Sequence, residues 1–355
     1  MSGFCQDIFL GGKQMQYAAY TIQNNRIVLC RLYGMGEAVF IPGMIEGRPV
    51  EVLADHLLAS EMTAMYPSGG MRLACLEGDD WNLADTGEQG LSLNELEKDA
   101  VKGSAVRSIR IPEGVRQIGN YAFYGLYELR EVSFPSTIRQ IGWGMFNGCR
   151  KVGRLEFHIG DECTATTPPI LQEVLDSVPN ETEVIVNRGN AQAYRLRFPQ
   201  YYEEGKENTP ARIIEIIYHG TGRQYRNCFL HRELQFDMYD ELFPLAAAQE
   251  DPVTNVHLII DRLTSGPAPK EDALARYIDY LRLEYAVMID EIIKDRECDP
   301  VPVLTVLNNL DYFTSMIVDS SIQIASGAGC PQAVSFLMEL RGRSMSHIRK
   351  SRYEL

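Results

Sequence analysis

Cys228 and His231, separated by two residues, are the best candidate metal ligands in the sequence. Structural zinc takes four nitrogen or sulfur ligands, commonly from two such pairs. His158 and Cys163 are the best second pair, but they are distant and more widely spaced. Because one short pair is common by chance, we expect a buried thiol beside a surface imidazole, and no metal site.

A second candidate site is the His-Gly-Thr-Gly turn at residues 219–222, which is flanked by arginines. Main-chain N–H groups and guanidinium groups at such a turn could bind an anion. The alternative is an ordinary hairpin turn whose glycines supply a positive φ. The predicted anion-binding side chains are Arg212, His219, Arg223 and Arg226.

Motifs of common catalytic sites are absent from the sequence. It contains no G-x-x-x-x-G-K-[ST] loop, no G-x-G-x-x-G after a strand, no H-E-x-x-H and no G-x-S-x-G. Cys149 occupies an apolar repeat position, and Cys330 has no evident base beside it. We therefore predict a protein that is not an enzyme and needs no cofactor.

The composition excludes several classes of protein. Of the 355 residues, 45% are hydrophobic and 23% charged, as in ordinary globular proteins. A net charge of −14 repels phosphate backbones, so we expect no nucleic-acid partner. The eight cysteines form no C-x-x-C pair, which favours free thiols in a reducing compartment. We see no signal peptide and no apolar run of about 18 residues, and we expect a cytoplasmic protein without a membrane span.

Residues 106–135 and 129–158 repeat each other with a period of 23 residues. In the first copy Val106, Ile109 and Ile111 follow an L-x-x-L-x-L spacing, which predicts a short strand with one buried face. A proline then ends the strand, an isoleucine marks a second inward segment, and a phenylalanine fills the core. Each Arg-Gln-Ile-Gly segment ends in a glycine where we expect a side chain to be crowded. The recurring positions are Pro112 and Pro135, Ile118 and Ile141, Gly119 and Gly142, and Phe123 and Phe146.

A degenerate earlier copy lies at residues 26–60. Its Ile41-Pro42 dipeptide corresponds to the Ile-Pro at 111–112 of the next copy. Val52 and Leu57 then take the places of the second-segment isoleucine and the core phenylalanine. An insertion of four residues, read as a Glu46-Gly47 turn, separates the two halves of this copy.

These repeats resemble the BspA-type leucine-rich repeat, a bacterial repeat of the form I-P-x-x-V-x-x-I-G-x-x-A-F-x-x-C. The match is strong over residues 106–158 and partial over 26–60; Cys149 matches the family cysteine, whereas Leu126 and Met145 depart from the pattern. The resemblance implies a curved solenoid whose parallel strands line one face, and that face typically binds proteins or other macromolecules. Many relatives are exported, a property that we do not carry over.

The outward residues of the repeat strands are the predicted partner-binding surface. Parallel strands lie about 4.8 Å apart, so their outward side chains form ladders. Arginine is favoured at interfaces because its planar group pairs with carboxylates. The alternative is a solvated face on which the glutamates neutralise the arginines. The predicted contact residues are Phe40, Arg107, Arg110, Arg130, Glu131, Arg154 and Glu156.

The predicted fold is α+β, with a short leucine-rich-repeat solenoid, a mixed segment and an α-helical C-terminal domain. Residues 270–298 show one long helical pattern, and 322–340 resemble the helix pair of an ankyrin repeat. The whole resembles bacterial proteins that join BspA-type repeats to helices. The predicted domains are 1–164 (repeats, with an acidic insertion at 61–104), 165–235 (mixed α/β, a possible cap), 236–345 (helical) and 346–355 (a basic tail).

The function predicted from the sequence is protein–protein interaction through the strand face, with a partner and an oligomeric state that the sequence leaves open. A second hypothesis is a small-ligand or enzymatic domain over 200–260 that uses the arginine cluster with Tyr201, Tyr202 and Tyr225. A third is a structural subunit that self-associates through an apolar patch. A further hypothesis is that acidic residues within 76–99 cover the arginines of the strand face.

Overall fold

The computed structural model describes residues 16–59, 70–77, 80–83, 105–160, 166–189, 191–208, 213–294 and 299–351, with the side chains of 77, 80–83, 208, 213–214 and 344–351 excepted. Arg212, Cys163 and most of the acidic insertion lie outside these ranges, so its suggested cover over the strand face does too. Within them, no helix is both long and apolar enough to span a membrane.

The chain divides into two compact units. The first runs to Gln192 and also includes Phe229–Leu234; the second comprises Ala193–Cys228 and the residues from Gln235 onward. The mixed segment predicted at 165–235 thus contributes to both. In chain order the first unit contains β1 (Tyr17–Gln23), β2 (Arg26–Tyr33), β3 (Ala38–Phe40), β4 (Met44–Ile45), β5 (Arg48–Leu53), β6 (Arg72–Glu77), β7 (Asp80–Leu83), β8 (Ser108–Arg110), β9 (Gln117–Ile118), β10 (Glu131–Phe134), β11 (Gln140–Ile141), β12 (Arg154–Ile159), α1 (Leu171–Asp176) and β13 (Thr182–Arg188).

Strands β3, β8, β10, β12 and β13 lie side by side and are parallel. Ile109 pairs with Val132, which pairs with Leu155, so the predicted repeat triplets stack in register. All three side chains are buried, and burial of each contributes about 1.5–3 kcal/mol. Strands β8 and β10 end beside Pro112 and Pro135, as expected of residues without an N–H to donate.

The second segments of the coils form another parallel ladder, in which β5, β9 and β11 are neighbours. The core phenylalanines fill the space beside it: Phe123 and Phe146 are buried with ring centroids 5.8 Å apart. Crowding at the repeat glycines is confirmed. A Cβ on Gly119 would overlap the main chain of Asp55, and one on Gly142 would overlap the main chain of Asn120.

The earlier copy has a different register from the one that its sequence indicates. Leu53, rather than Val52, pairs with Ile118, and Leu58 N–H donates to Ala122 O, which places Leu58 opposite the core phenylalanine. The insertion is therefore one residue longer than expected. It forms a β4–β5 hairpin whose predicted Glu46-Gly47 turn is confirmed, with φ of 48° and 69°.

Helices dominate the second unit, so the predicted helical C-terminal region is confirmed. The elements after β13 are β14 (Ala191–Phe198), β15 (Tyr202–Asn208), β16 (Ile213–His219), α2 (Gly222–Arg226), β17 (Phe229–Leu230), β18 (Glu233–Leu234), α3 (Phe236–Glu241), α4 (Phe243–Gln249), α5 (Pro252–Thr264), α6 (Glu271–Leu283), α7 (Tyr285–Lys294), α8 (Val301–Asn309), α9 (Ser315–Gly327) and α10 (Pro331–Ser351). Of these, β17 and β18 belong to the first unit.

Two predictions about the helices can be compared with the structure. The helical pattern at 270–298, which predicts one long helix unless it breaks, is helical in the described residues up to Lys294 but breaks once, because Glu284, with φ −99° and ψ 29°, separates α6 from α7. The helix pair at 322–340 is present as α9 and α10, joined at Gly329 with φ 71°. Its likeness to an ankyrin repeat stays a prediction, as does the curvature of a solenoid.

Candidate binding face

Two rows of side chains project from the parallel strands, because successive residues of a strand alternate between the core and the solvent. The register fixes which side chains are neighbours within each row. The upper row, as we name it, is Ser108, Glu131, Arg154 and Glu183; the lower row is Phe40, Arg110, Ser133, Glu156 and Ile185. The β13 members, Glu183 and Ile185, are buried.

The four predicted arginines are not brought into one row. Arg107 and Arg130 precede their strands and stack on each other, since Arg130 N–H donates to Arg107 O at 2.8 Å. The next residue in that stack is Gly153, whose N–H donates to Arg130 O at 3.0 Å. Arg154 therefore lies one position further along, opposite Glu131.

Glutamates neutralise two of these arginines. Arg154 pairs with Glu183 at 3.1 Å and with Glu131 at 3.5 Å, and Arg107 pairs with Glu37 at 3.2 Å. Such exposed pairs contribute about 0–1 kcal/mol each to folding stability. Their main effect is therefore on the local charge of the strand face.

Arg110 and Arg130 differ from this pattern, since neither forms an ion pair within the part of the chain that the structure describes. Arg130 still acts on a neighbour. The pKa of Glu128 is lowered mainly by the hydrogen bond from Lys151, with a smaller contribution from Arg130. Arg110 is therefore the arginine of the lower row whose guanidinium meets no carboxylate of the described residues.

A groove of about 310 Å³ follows the lower row, between Phe40 and His158. Phe40 is 64% exposed, which is unusual for a phenylalanine in a strand. Among the residues that line it, Ser133 Oγ and His158 Nε2 are 3.2 Å apart, and Glu156 accepts a hydrogen bond from Asn187, outside the lining, at 2.6 Å. Sequence reasoning considered His158 only as a metal ligand, although continued alternation after Leu155 already places it on the outer face.

The predicted anion site is dispersed in the described residues. Arg226 is fully buried and donates to Pro199 O at 2.6 Å and to Gly222 O at 3.0 Å. His219 instead lies 2.9 Å from Glu204, a carboxylate that an anion would displace. Arg223 lies over the ring of Tyr218.

The turn itself joins β16 to helix α2 rather than to a second hairpin strand. Gly220 has φ 80°, as expected of a turn glycine. Gly222 is required for a different reason, because a Cβ there would overlap Pro199 O. Both glycines are thus explained by the local packing of the chain.

The two candidate metal ligands, Cys228 and His231, differ in their exposure to solvent. Cys228 is buried, and burial raises the pKa of its thiol to about 12, which disfavours the thiolate that a metal requires. His231 lies on an exposed turn with φ 50°. The five cysteines within the described ranges are free thiols.

Comparison with known proteins identifies the repeat. A family model described as a BspA type Leucine rich repeat region (6 copies) matches residues 91–167. No curated protein matches the chain significantly.

Similar solved structures include a leucine rich cell surface protein from Faecalibacterium prausnitzii A2-165, at 13% identity and a TM-score of 0.25, with 51% of this chain and 42% of that chain covered. The leucine rich repeat protein TpLRR of T. pallidum has 15% identity and a TM-score of 0.18, with coverage of 48% and 78%. The chain spans less than half the length of the first. The family model, which coincides with the two stacked 23-residue copies, shows that residues 91–167 belong to the BspA-type leucine-rich repeat family.

Proposed function

We propose that this protein is a protein-binding module without catalytic activity, and that its contact surface is the lower row of the parallel strands. Leucine-rich repeat proteins commonly bind proteins, and stacked repeats create extended binding surfaces. The proposal narrows the face predicted from the sequence, since Arg107 and Arg154 are already paired with glutamates.

The observation that carries the proposal is the exposed Phe40 beside Arg110, which forms no ion pair with the described residues. The two residues are in register on neighbouring strands β3 and β8, and both line the groove. Aromatic and arginine side chains dominate the binding energy of most interfaces. Exposure of such a phenylalanine to water is unfavourable unless a partner covers it.

The neighbouring polar groups favour a preformed surface. Ser133 and His158 are within hydrogen-bonding distance of each other, and Asn187 holds Glu156, so the groove needs little reordering when it binds. The groove fits a partner segment with an acidic side chain for Arg110 and an apolar side chain for Phe40.

A quantitative pull-down from native lysate tests this surface. Arg110→Glu and Phe40→Ser should each weaken retention of the main partner by about 30-fold or more, because loss of an interface anchor costs roughly 2 kcal/mol or more. Arg150→Glu is the matched control, since Arg150 is exposed and lies outside both rows.

Circular dichroism should first show that all three variants are folded. If Arg150→Glu lost the partner to the same extent, the loss would result from the change in net charge and not from the lower row. Retention by the Arg110→Glu/Phe40→Ser double variant would move the interface to another surface.

The hypothesis of a ligand-binding or enzymatic domain over 200–260 is less well supported. Its central cation, Arg226, donates to main-chain carbonyls, and its guanidinium lies 5.1 Å from the ring centre of the buried Tyr201. Tyr225 is buried as well. These side chains stabilise the second unit internally, which leaves few of them to converge on a ligand.

A further inference from the structure

The turn after the second strand of each coil holds three residues at equivalent positions, Asp55, Asn120 and Trp143. Asn120 N–H donates to Asp55 Oδ1 at 2.7 Å, and Trp143 N–H donates to Asn120 Oδ1 at 2.9 Å. In the first two coils the side chain at this position thus stabilises the next coil.

Trp143 has no acceptor with which to continue this series, because an indole only donates. Its side chain is 72% exposed, the largest exposed fraction among the aromatic residues on the described surface. Coil stacking therefore does not account for an indole here. An indole exposed to this extent leaves a large apolar surface in water, and a ligand that stacked on it would remove that surface from water.

Neighbouring rings hold the indole in place. Tyr121 packs edge-on against Trp143, with centroids 5.2 Å apart and an interplanar angle of 84°. Tyr121 in turn stacks on the buried His56, at 5.4 Å and 6°. Such contacts restrict the ring without covering it.

A groove of about 420 Å³ borders this turn, within the volume range of small-ligand sites. Asn120 and Gly142, on either side of the Trp143 hydrogen bond, both line it. Trp143 is not part of the lining itself but follows the lining residue Gly142 directly in the chain, so it lies at the edge of the groove; none of the other large exposed apolar side chains lines it. Planar polar or charged groups predominate instead: Asp55, Gln117, Asn120, Arg139, Gln140, Glu173 and Arg232.

The charges of the groove balance, with two carboxylates and two guanidinium groups, so it favours a neutral ligand. Glu173 Oε1 pairs with Arg232 at 2.6 Å, whereas Glu173 Oε2 is buried and accepts no hydrogen bond within the described residues. A buried acceptor left unpaired in this way is unfavourable, and a ligand hydroxyl would supply the missing hydrogen bond.

We propose that this groove binds a neutral oligosaccharide, with Trp143 stacked on the C–H face of one sugar ring. A sugar presents hydroxyls that both donate and accept, and a flat face of aliphatic C–H groups. Planar amide, carboxylate and guanidinium groups match the first, and an exposed indole matches the second. A protein partner would instead require exposed apolar side chains, whereas Ile118 and Ile170 of the lining are buried and Ile141 is half-buried.

This site is independent of the proposed protein-binding surface, because β9 and β11 line it rather than β8 and β10. Phe40 consequently serves as a matched aromatic control for Trp143.

Tryptophan fluorescence provides the first test, since the chain contains only Trp81 and Trp143. In a Trp81→Phe variant of the full chain, Trp143 is the single reporter. We would titrate it with maltohexaose, cellohexaose, xylohexaose, mannohexaose and chitohexaose. At least one of these should give a saturable blue shift, because stacking removes water from the indole.

Affinity electrophoresis on gels that contain the matching polysaccharide provides the second test, with the natural sequence and its variants. Trp143→Ala should weaken retention roughly tenfold or more, because the stacking contact is lost. Glu173→Gln should also weaken retention, because the amide has one acceptor oxygen where the carboxylate has two. Phe40→Ala should leave retention by the polysaccharide gel unchanged. Thermal melts should show that the variants remain folded.

The absence of a saturable response across the whole panel would overturn the proposal. So would equal retention of the folded Trp143→Ala variant, or a protein partner lost on Trp143→Ala while no sugar binds. Failure of the strand-face proposal would leave this test unchanged, since a different variant reports each surface.

Discussion

At the scale of single residues, close approach of neighbouring coils decides which amino acid is allowed. Gly142 is not selected for a positive φ; it is the only residue without a Cβ to meet Asn120. Cys149 shows the same tightness, because its buried thiol donates to Phe123 O and burial raises its pKa to about 12. The thiol therefore stays protonated at neutral pH and is a core residue rather than a nucleophile.

Gly142→Ala should destabilise the first unit by about 1–3 kcal/mol, because the added methyl group forces two main-chain segments apart. Urea denaturation followed by circular dichroism measures the change. Gly153→Ala is the matched control, since a Cβ there lies 3.7 Å from Glu181 O and fits. Equal stabilities of the two variants would refute the close-approach argument.

At the scale of elements, alternation along the strands predicts which side chains face the core, but the helices of the second unit depend on a buried polar contact. Arg262 of α5 donates twice to Asp240 of α3, at 2.7 and 2.8 Å, and Tyr277 of α6 donates to the same carboxylate at 2.9 Å. All three side chains are buried. One carboxylate therefore joins three helices.

Asp240→Asn should cost about 3–5 kcal/mol of stability, because it leaves the charge of Arg262 buried without its counterion. Asp237→Asn is the matched control, since Asp237 is exposed and its pair with Lys270 lies at the surface; it should change stability by less than about 1 kcal/mol. Thermal unfolding of both variants gives the comparison. A mild effect of Asp240→Asn would mean that packing alone holds these helices.

At the scale of the whole molecule, the chain forms two compact units. The strand face and the tryptophan groove both belong to the first. The boundary does not follow the sequence pattern. Residues 229–234 return to the first unit after the chain has entered the second, so its boundaries are not continuous in sequence. Contacts rather than chain order define each unit.

Hydrogen exchange with mass spectrometry should therefore separate the effects of the two destabilising variants. Gly142→Ala should speed exchange chiefly in residues 106–160, and Asp240→Asn chiefly in 236–294, because each removes contacts within one unit. Equal acceleration across both segments in either variant would show that the chain unfolds as a single cooperative body.

The sequence by itself determined the repeat, its 23-residue period and the inward residues of the strands, because the same packing problem recurs in each coil and leaves the same apolar pattern. It also identified the crowded glycines. It misjudged the register of the degenerate copy, since one extra residue in a hairpin moves every later pairing without changing the apolar pattern.

Only the tertiary structure decided which side chains meet across coils. Hydrogen-bond register places Arg154 between two glutamates and leaves Arg110 without a carboxylate among the described residues, and neither result is visible in the spacing of arginines. Burial likewise removed Arg226 from the predicted anion site. The exposure of Trp143 depends on neighbours that are distant in sequence, because accessibility is a property of packed surfaces and not of residue type.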